Sequence, residues 1–446
     1  MGAFESVSTG GCLTKSMRSH ATLQSPPVVR LAPPTWIYLT PNGMFLLTSE
    51  EPQSDFLSLL GLAKREASIL SKPVLRSKEK PSMTVTRRKI IQSGGWGFSA
   101  WALSSSNLLL AKAAGPGIAQ RLKNTGVDFV EITKASEKAV RKGTDFLKKV
   151  INRDGSCGVD VNQQPDIGCT SMTGLAFLAQ GNTPLEGHDS RELKLLRNFI
   201  LKQTATMPSN DITTATGTQL QNKIGRHAHS FFAALFLSQV VGEAPNPEAT
   251  HTGLRKVVAA IVKAQTTAGD WGSTSWAPTL GTVTGWVSLR ASDFVGMRVG
   301  GAPNKTTEHL LKKMGATANQ SRGWMHDLYK NAAGIRVLYA MKKENEPVAK
   351  QTFQKVLKLV TTDNTPFTQA GGEEFLAFHL ITETMLQKGG EDWEKWFPVV
   401  RDKLIDVQNQ DGSWTGHHCI TSRTFCTAAA ILVLTAPNRF LPISQS

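Results

Sequence analysis

The sequence predicts an all-α protein, an (α/α)6 toroid of helical hairpin repeats that follows a non-globular leader. From residue 135 onward, two kinds of helical pattern alternate, one amphipathic and one apolar on all sides, and Gly-rich breaks separate them. The period-two alternation that is typical of half-buried strands is almost missing there. Because amphipathic helices lie at a surface and wholly apolar helices are buried, we expect two layers of helices.

The amphipathic helices form the predicted outer layer. In the first of them, Ala139, Phe146, Leu147 and Val150 recur at helical spacing and share one face. The same periodicity appears in four further segments: 193–200, 254–261, 348–360 and 393–404. Each segment is polar on its opposite face, so each is expected to contact solvent on one side and the inner layer on the other.

The apolar helices form the predicted inner layer, and each follows a break in the pattern. They cover residues 170–179, 229–241, 283–295, 332–341, 375–385 and 424–434. A helix without a polar face is normally buried on every side. We therefore expect these six helices to make the core.

The break between the layers is itself a repeat. Its clear copies are Asp154-Gly155-Ser156, Gly269-Asp270-Trp271, Arg322-Gly323-Trp324 and Asp411-Gly412-Ser413-Trp414, with degenerate copies near 208–211 and 363–367. The repeats are roughly 40 to 60 residues long, which indicates a repeat architecture. Gly permits a left-handed turn, Asp or Ser caps the next helix, and Trp fills the space between units. Six such hairpins can close on themselves, so that no polar capping repeat is needed.

Composition indicates a large core and argues against nucleic acid as a partner. Hydrophobic residues make up 40% of the chain and charged residues 19%, so the chain is not broadly disordered. Of the formal charge of +15, a large share lies in residues 1–114, which carry 13 basic and 6 acidic residues. Elsewhere Lys and Arg are scattered and form no basic stripe interleaved with aromatic residues. The sequence contains no uninterrupted run of 18 apolar residues, which argues against a polytopic membrane protein.

A twin-arginine export signal is predicted at residues 83–114. Thr86-Arg87-Arg88-Lys89-Ile90-Ile91 is followed by a weakly apolar stretch and by Ala111-Lys112-Ala113-Ala114, whose small residues suit a signal peptidase. Because such a signal begins near an N-terminus, Met83 is the expected start. Segment 1–82 is then either disordered or wrongly included. The expected location is the periplasm or the cell envelope.

The cysteines allow two interpretations. In an exported chain, one or two disulfides could form among Cys157, Cys169, Cys419 and Cys426. The favoured interpretation is that all four are small, buried hydrophobic residues. No Cys-x-x-Cys motif occurs, and the His417-His418-Cys419 run lacks a partner at metal spacing. We expect no metal and no cofactor.

The segments 265–271 and 408–414 resemble the Gln-Trp motifs of the prenyltransferase and squalene-oxidase repeat superfamily, which includes terpenoid cyclases and protein prenyltransferase β-subunits. The exported bacterial members of that superfamily are the ones most similar to two parts of this sequence, the segment 235–242 and the C-terminal run from 389 to 443. The resemblance covers 135–443 and implies an α/α toroid. It assigns a structural role to the motif residues Gln265, Gly269, Trp271, Gln408, Gly412 and Trp414.

The catalytic motifs of that superfamily are missing from the sequence. The sequence has no Asp-x-Asp-Asp motif to supply a catalytic acid and no Asp-rich cluster to bind magnesium. It also has no Asp-x-Cys zinc motif, because Cys157 lies three residues after Asp154 and not two. The favoured function is a binding or scaffold module for a lipid, peptide or protein partner, with peripheral membrane association left open. The alternative is a cyclase-like or prenyltransferase-like enzyme with relocated groups, acting on an isoprenoid in the central cavity.

Polar residues on or near the inner helices are the candidate cavity or rim residues. They are His227, His229, Trp286, Arg290, Asp293, Asn331, Glu373, Glu374, His379 and Arg423. One candidate site pairs Glu374 or Asp293 with Arg290 or Arg423, although structural ion pairs and helix caps are the favoured interpretation. A metal on His227 and His229 is disfavoured, because side chains two residues apart diverge on a helix.

Overall fold

The computed structural model describes residues 36–40, 43–47, 131–208, 211–272, 274–317, 323–324 and 327–445. The chain divides into two units, residues 1–82 and 83–446. The predicted signal at 83–114 lies outside the described residues, as does most of the segment 1–82.

The first unit contains a β-hairpin. Strand β1 (Trp36–Thr40) pairs with β2 (Gly43–Leu47) in an antiparallel register that sets Trp36 opposite Leu47 and Thr40 opposite Gly43. Aromatic and β-branched residues, which favour extended backbone, make up most of β1. For this segment the sequence had predicted only that residues 1–82 are disordered or wrongly included.

The second unit is helical from residue 131 onward, and the all-α prediction is confirmed for it. In chain order its helices are α1 (Lys134–Val150), α2 (Ile167–Leu178), α3 (Ser190–Thr206), α4 (Gln219–Lys223), α5 (Ala228–Val240), α6 (Pro247–Ala264), α7 (Pro278–Phe294), α8 (Ala302–Thr317), a π-helical segment (Asp327–Ala332), α9 (Ile335–Ala340), α10 (Pro347–Thr362), α11 (Thr365–Thr368), α12 (Gly372–Lys388), α13 (Gly390–Asp406) and α14 (Arg423–Leu434). Two short 3₁₀ turns follow at Ala436–Asn438 and Pro442–Gln445. In the described part of the chain, no helix combines the length and apolar character needed to cross a membrane.

Two kinds of helix alternate along this unit, as the periodicity predicted. The inner helices, which are α2, α5, α7, α9, α12 and α14, bury most or all of their residues. The outer helices, which are α1, α3, α6, α8, α10 and α13, bury one face each. Every residue of α2 and of α5 is buried, which explains why their sequences show no polar face.

The fourth hairpin differs from the prediction in both of its helices. Outer helix α8 was missed because Pro303, Thr306 and Thr307 carry much of its buried face, which weakens its hydrophobic pattern. The inner helix expected at 332–341 is split into the π-helical segment and the short α9.

Neighbouring inner helices pack against one another in chain order. Helix α2 contacts α5, α5 contacts α7, and α7 contacts the π-helical segment and α9. Both of these contact α12, which in turn contacts α14. Helix α14 also contacts α2, so the last hairpin packs against the first. Outer helix α13 likewise contacts α1.

The inner helices begin at one end of the unit, which we call the N-terminal end. There Cys169 Sγ at the start of α2 lies 3.4 Å from Ser422 Oγ, and the Gly372 amide donates to the Ile420 carbonyl at 2.8 Å. The opposite end is covered by the C-terminal turn, where Ile443 accepts a hydrogen bond from Arg336 at 3.2 Å. The contacts at the N-terminal end, together with those of Asp166 with His229 and of the Ala277 amide with the Lys223 carbonyl, bring the starts of α2, α5, α7, α12 and α14 together there. Helix α9 begins further along, after the π-helical segment.

The Gly-containing turns place two successive outer helices in contact. Gly269 and Gly412 have φ values of 92° and 91°, which L side chains rarely adopt. A Cβ on Gly269 would lie 2.4 Å from the Lys305 carbonyl of α8, and one on Gly412 would lie 2.4 Å from the Lys142 carbonyl of α1. The turn at Gly412 thus packs on the first outer helix, α1, as closely as the turn at Gly269 packs on the outer helix that follows it, α8.

The Gln and Trp of each motif extend this contact. Gln265 Nε2 donates to the Ala302 carbonyl and Gln408 Nε2 to the Ala139 carbonyl, each at 2.9 Å. Trp271 and Trp414 donate their indole N–H groups to the last turns of α6 and α13, each at 2.8 Å. These acceptors are among the carbonyls that a helix C-terminus leaves unpaired, not loop carbonyls.

Candidate functional site

Charged and sulfur-containing side chains from three separate hairpins meet at the N-terminal end. Short helix α4 contributes Lys223, the first turn of α12 contributes Glu373 and Glu374, and the loop before α14 contributes His418 and Cys419. We call these five residues the Glu-His-Cys cluster. Its members come together only because the inner helices start at the same end.

Glu373 is the centre of this cluster. Its side chain is fully buried, and Oε1 lies 2.9 Å from Lys223 Nζ and 3.1 Å from His418 Nδ1. Its second oxygen accepts a hydrogen bond from the Ile420 amide at 3.3 Å. A buried carboxylate requires such partners, because burial otherwise strongly disfavours its charge.

Lys223 supplies the compensating positive charge. Only 6% of its side chain is exposed, and Nζ donates to Cys419 Sγ at 3.4 Å and lies 4.4 Å from the centre of the Tyr329 ring. Burial opposes the charged form, but the hydrogen bond and charge of Glu373 outweigh it and raise the pKa of Lys223. Lys223 is therefore positively charged at neutral pH.

Glu374 is in a different state from its neighbour. Burial, and then the charge of Glu373, raise the pKa of Glu374 to about 9, so that its carboxyl is protonated at neutral pH. Oε2 accepts from the Gly371 amide at 2.7 Å and lies 3.3 Å from His418 Nε2. Among the described residues, Oε1 has no hydrogen-bond partner although it is buried.

Cys419 is the exposed member. Its backbone has φ of 44°, a left-handed conformation that costs a non-Gly residue of the order of 1 to 3 kcal/mol. Burial of the thiol and the charge of Glu373 raise the pKa of Cys419. A carboxylate oxygen of Glu373, a ring nitrogen of His418 and the Cys419 sulfur lie within 4.8 Å of one another. These three donors could hold a metal ion, which the spacing of His417-His418-Cys419 could not show because Glu373 comes from another hairpin.

The other cysteines follow the favoured prediction. Cys157, Cys169 and Cys426 are buried, and none of the four described cysteines forms a disulfide. Burial raises the pKa of Cys157 to about 12, so its thiol is inert at neutral pH. The expectation of burial was wrong for Cys419 alone.

The two predicted histidines at the start of α5, His227 just before the helix and His229 in its first turn, lie beside different carboxylates. His229 Nε2 lies 3.3 Å from Asp166 Oδ2 and 3.2 Å from Thr218 Oγ1, and its Nδ1 lies 3.1 Å from Thr213 Oγ1. His227 Nδ1 lies 3.3 Å from Asp211 Oδ2. Burial alone would raise the pKa of Asp166, but hydrogen bonds led by that of His229 lower it. Each histidine therefore lies beside a carboxylate of its own.

Other predicted site residues lie away from the Glu-His-Cys cluster. Arg290 and Asp293 pair with each other at 3.3 Å in the last turn of α7, at the opposite end from Glu374. Trp286 is fully buried, and its indole N–H finds no acceptor within the described residues. Burial lowers the pKa of His379 on α12, so its ring is neutral at neutral pH.

Arg423 joins the first and last hairpins. It pairs with Asp160 at 3.2 Å and with Asp411, and its guanidinium lies 4.7 Å from the Phe146 ring. The predicted pairing of Glu374 with Arg290 or Arg423 is therefore absent from the described residues. Glu374 lies instead beside His418, and the position of Lys223 in a short connecting helix explains why it was not among the candidates.

An exposed tryptophan flanks the cluster. Trp276 is 76% exposed, the largest exposure among the big hydrophobic residues described. Its amide donates to the Asn222 carbonyl at 3.2 Å, and the next amide, of Ala277, donates to the Lys223 carbonyl at 2.7 Å. The backbone of Trp276 is thus held beside that of Lys223, and its indole is exposed.

Comparison with known protein families finds no family model that matches this chain, and comparison with curated proteins finds no match either. Fold and site define the class: a helical unit in which two buried glutamates lie beside a buried lysine and an exposed cysteine where the inner helices begin.

Proposed function

We propose that the helical unit is a closed (α/α)6 toroid. The support is the contact of α14 with α2 and of α13 with α1. The approach of Gly412 to the Lys142 carbonyl repeats the approach of Gly269 to the Lys305 carbonyl, as expected if every unit has a successor in the ring.

We infer that this toroid is a binding module, and that its ligand enters at the N-terminal end. The observation that carries this proposal is the convergence of Lys223, Glu373, His418 and the exposed Cys419 beside the exposed Trp276. Buried charges held near an exposed aromatic side chain are typical of recognition sites. The other end is covered by the C-terminal turn, through Arg336 and Ile443.

An isoprenoid enzyme is the weaker proposal. Starting a cyclisation by protonation requires a strong acid, whereas Glu374 has a pKa raised to about 9 and gives up its proton reluctantly. The inner helices are packed with large side chains that are fully buried, including Phe232, Phe378 and Trp286. These features favour binding over catalysis in a central cavity.

Alkylation of Cys419 provides the test of binding. The full chain is treated with iodoacetamide alone or with one of three ligand classes: divalent cations, lipid vesicles, or a peptide library with a chelator. We expect one class to slow the alkylation of Cys419, measured by mass spectrometry, with the three buried cysteines as internal controls. If the protecting ligand is a lipid or a peptide, Trp276→Ala should weaken this protection about tenfold, the loss of one contact residue.

Phe294→Ala is the matched control, since Phe294 is 47% exposed at the end of α7 that lies away from the cluster. It should leave protection unchanged. Protection that depends on Phe294 and not on Trp276, protection by none of the three classes, or release of diphosphate from an isoprenyl diphosphate would contradict the proposal.

We also propose that the toroid is exported by the twin-arginine route to the periplasm or cell envelope. The support is the order of paired arginines, apolar stretch and small residues in 83–114. Replacing Arg87 and Arg88 by Lys should leave the full-length precursor in the cytoplasm, as fractionation and immunoblotting would show. Undiminished export of the variant would mean that the arginine pair is incidental.

A further inference from the structure

We propose that Glu373, His418 and Cys419 bind a divalent transition-metal ion of the zinc class. This inference rests on the proposed function, because it names the chemistry of the ligand at the same end of the toroid. Its first support is geometric. The three donor atoms lie within 4.8 Å of one another, and bonds of about 2.0 to 2.3 Å to a tetrahedral ion would draw them closer together.

The types of donor atom select the ion. A cysteine sulfur and an imidazole nitrogen favour zinc and its neighbours, whereas calcium and magnesium favour sites made wholly of oxygen. Three protein ligands leave one position of a tetrahedral ion open. Since Cys419 is exposed, that open position can face solvent or a partner.

A second, independent support is the set of buried polar atoms that lack hydrogen bonds. Among the described residues, Glu374 Oε1 has no hydrogen-bond partner, while Glu373 Oε1 and His418 Nε2 have ion-pair contacts but no hydrogen bond of normal geometry. Buried polar atoms are nearly always satisfied. Three exceptions in one cluster indicate a place built for a further ligand.

Lys223 gives the inference a distinctive consequence. Its ammonium contacts two of the three donors, at 2.9 Å from Glu373 Oε1 and 3.4 Å from Cys419 Sγ. A metal ion must displace it, because two cations cannot share this small space without strong repulsion. The Lys223 ammonium therefore competes with a metal ion for Glu373 and Cys419, and its removal should strengthen metal binding.

The test is a titration of the full chain with Zn²⁺ by calorimetry and with Co²⁺ by optical spectroscopy. We expect one ion per chain and, for Co²⁺, a thiolate-to-metal charge-transfer band. Cys419→Ser should abolish the band, and both Cys419→Ser and His418→Gln should weaken Zn²⁺ binding at least about tenfold. Lys223→Met should tighten it about tenfold, because a like charge is removed. His417→Gln is the matched control, and Mg²⁺ should not bind.

Equal Zn²⁺ affinity in wild type, Cys419→Ser and His418→Gln would overturn the inference, and so would absence of binding in both wild type and Lys223→Met. Circular dichroism before titration shows whether each variant is folded. The alkylation experiment in the presence of a chelator separates the two proposals. A peptide or lipid that still protects Cys419 in a Trp276-dependent manner supports the binding module even where the metal site fails.

Discussion

Replacing Trp414 by alanine should lower the free energy of unfolding by about 3 to 5 kcal/mol, as is typical for removing a large buried aromatic side chain. Trp414 is fully buried, its indole donates to the Leu404 carbonyl, and its amide donates to Thr427 Oγ1 at 2.9 Å. Its ring also lies against Gly143 of α1. The substitution would open space between the last hairpin and the first. Denaturant unfolding at equilibrium measures the loss.

Two variants serve as controls for this effect. Trp414→Phe keeps most of the apolar volume and loses the hydrogen bond to Leu404, so it should cost about 1 to 3 kcal/mol. Trp271→Ala should cost less than Trp414→Ala, because Trp271 is only partly buried against Phe231. Metal and ligand affinity of the folded fraction should persist in each. Lost binding with unchanged stability would place these tryptophans in the site.

Replacing Glu373 by alanine should destabilise the protein by about 3 to 5 kcal/mol, because it leaves the buried charge of Lys223 without its partner. The hydrogen bond from the Ile420 amide is lost as well. Lys223→Met should also destabilise the metal-free protein, since the buried Glu373 then loses the ammonium that compensates its charge. Urea unfolding with a chelator present measures both variants.

The double variant makes the cause testable. Glu373→Ala combined with Lys223→Met should cost at least about 1 kcal/mol less than the two single changes added together, because no unpaired charge remains. Additive losses would show that the two side chains are energetically independent. Adding Zn²⁺ should restore stability to Lys223→Met and leave Glu373→Ala unchanged.

Much of the helical unit was predictable because the burial of most helices follows from the pattern of apolar residues in their own sequences. Wholly apolar stretches such as α5 and α14 can only be buried, and one-faced stretches such as α1 and α10 can only lie between core and solvent. Helix α8 was not predictable in this way, since threonine and proline make up much of its buried face. The π-helical segment depends on packing between α7 and α12, which no single-helix pattern reports.

The candidate site was only partly predictable. Glu374 was a candidate because an acid at the start of an apolar helix requires an explanation. Lys223 and His418 contact α12 across long stretches of sequence, so neither spacing nor local pattern joins them to it. The exposure of Cys419 depends on a left-handed turn that its residue type does not favour. The resemblance to repeat proteins implies a toroid, but the catalytic motifs of that superfamily lie at none of these positions.

Hydrogen exchange of Trp414→Ala, followed by mass spectrometry under native conditions, tests ring closure most directly. Because Trp414 and Gly412 pack on α1, we expect faster exchange of amides in α1 together with those in α13 and α14, while α6 and α7 keep the protection of wild type. Trp271→Ala should show the converse, with α6 and α7 loosened and α1 unchanged. If α1 keeps its full protection in Trp414→Ala, the last hairpin does not support the first, and the helices form an open array, not a closed toroid.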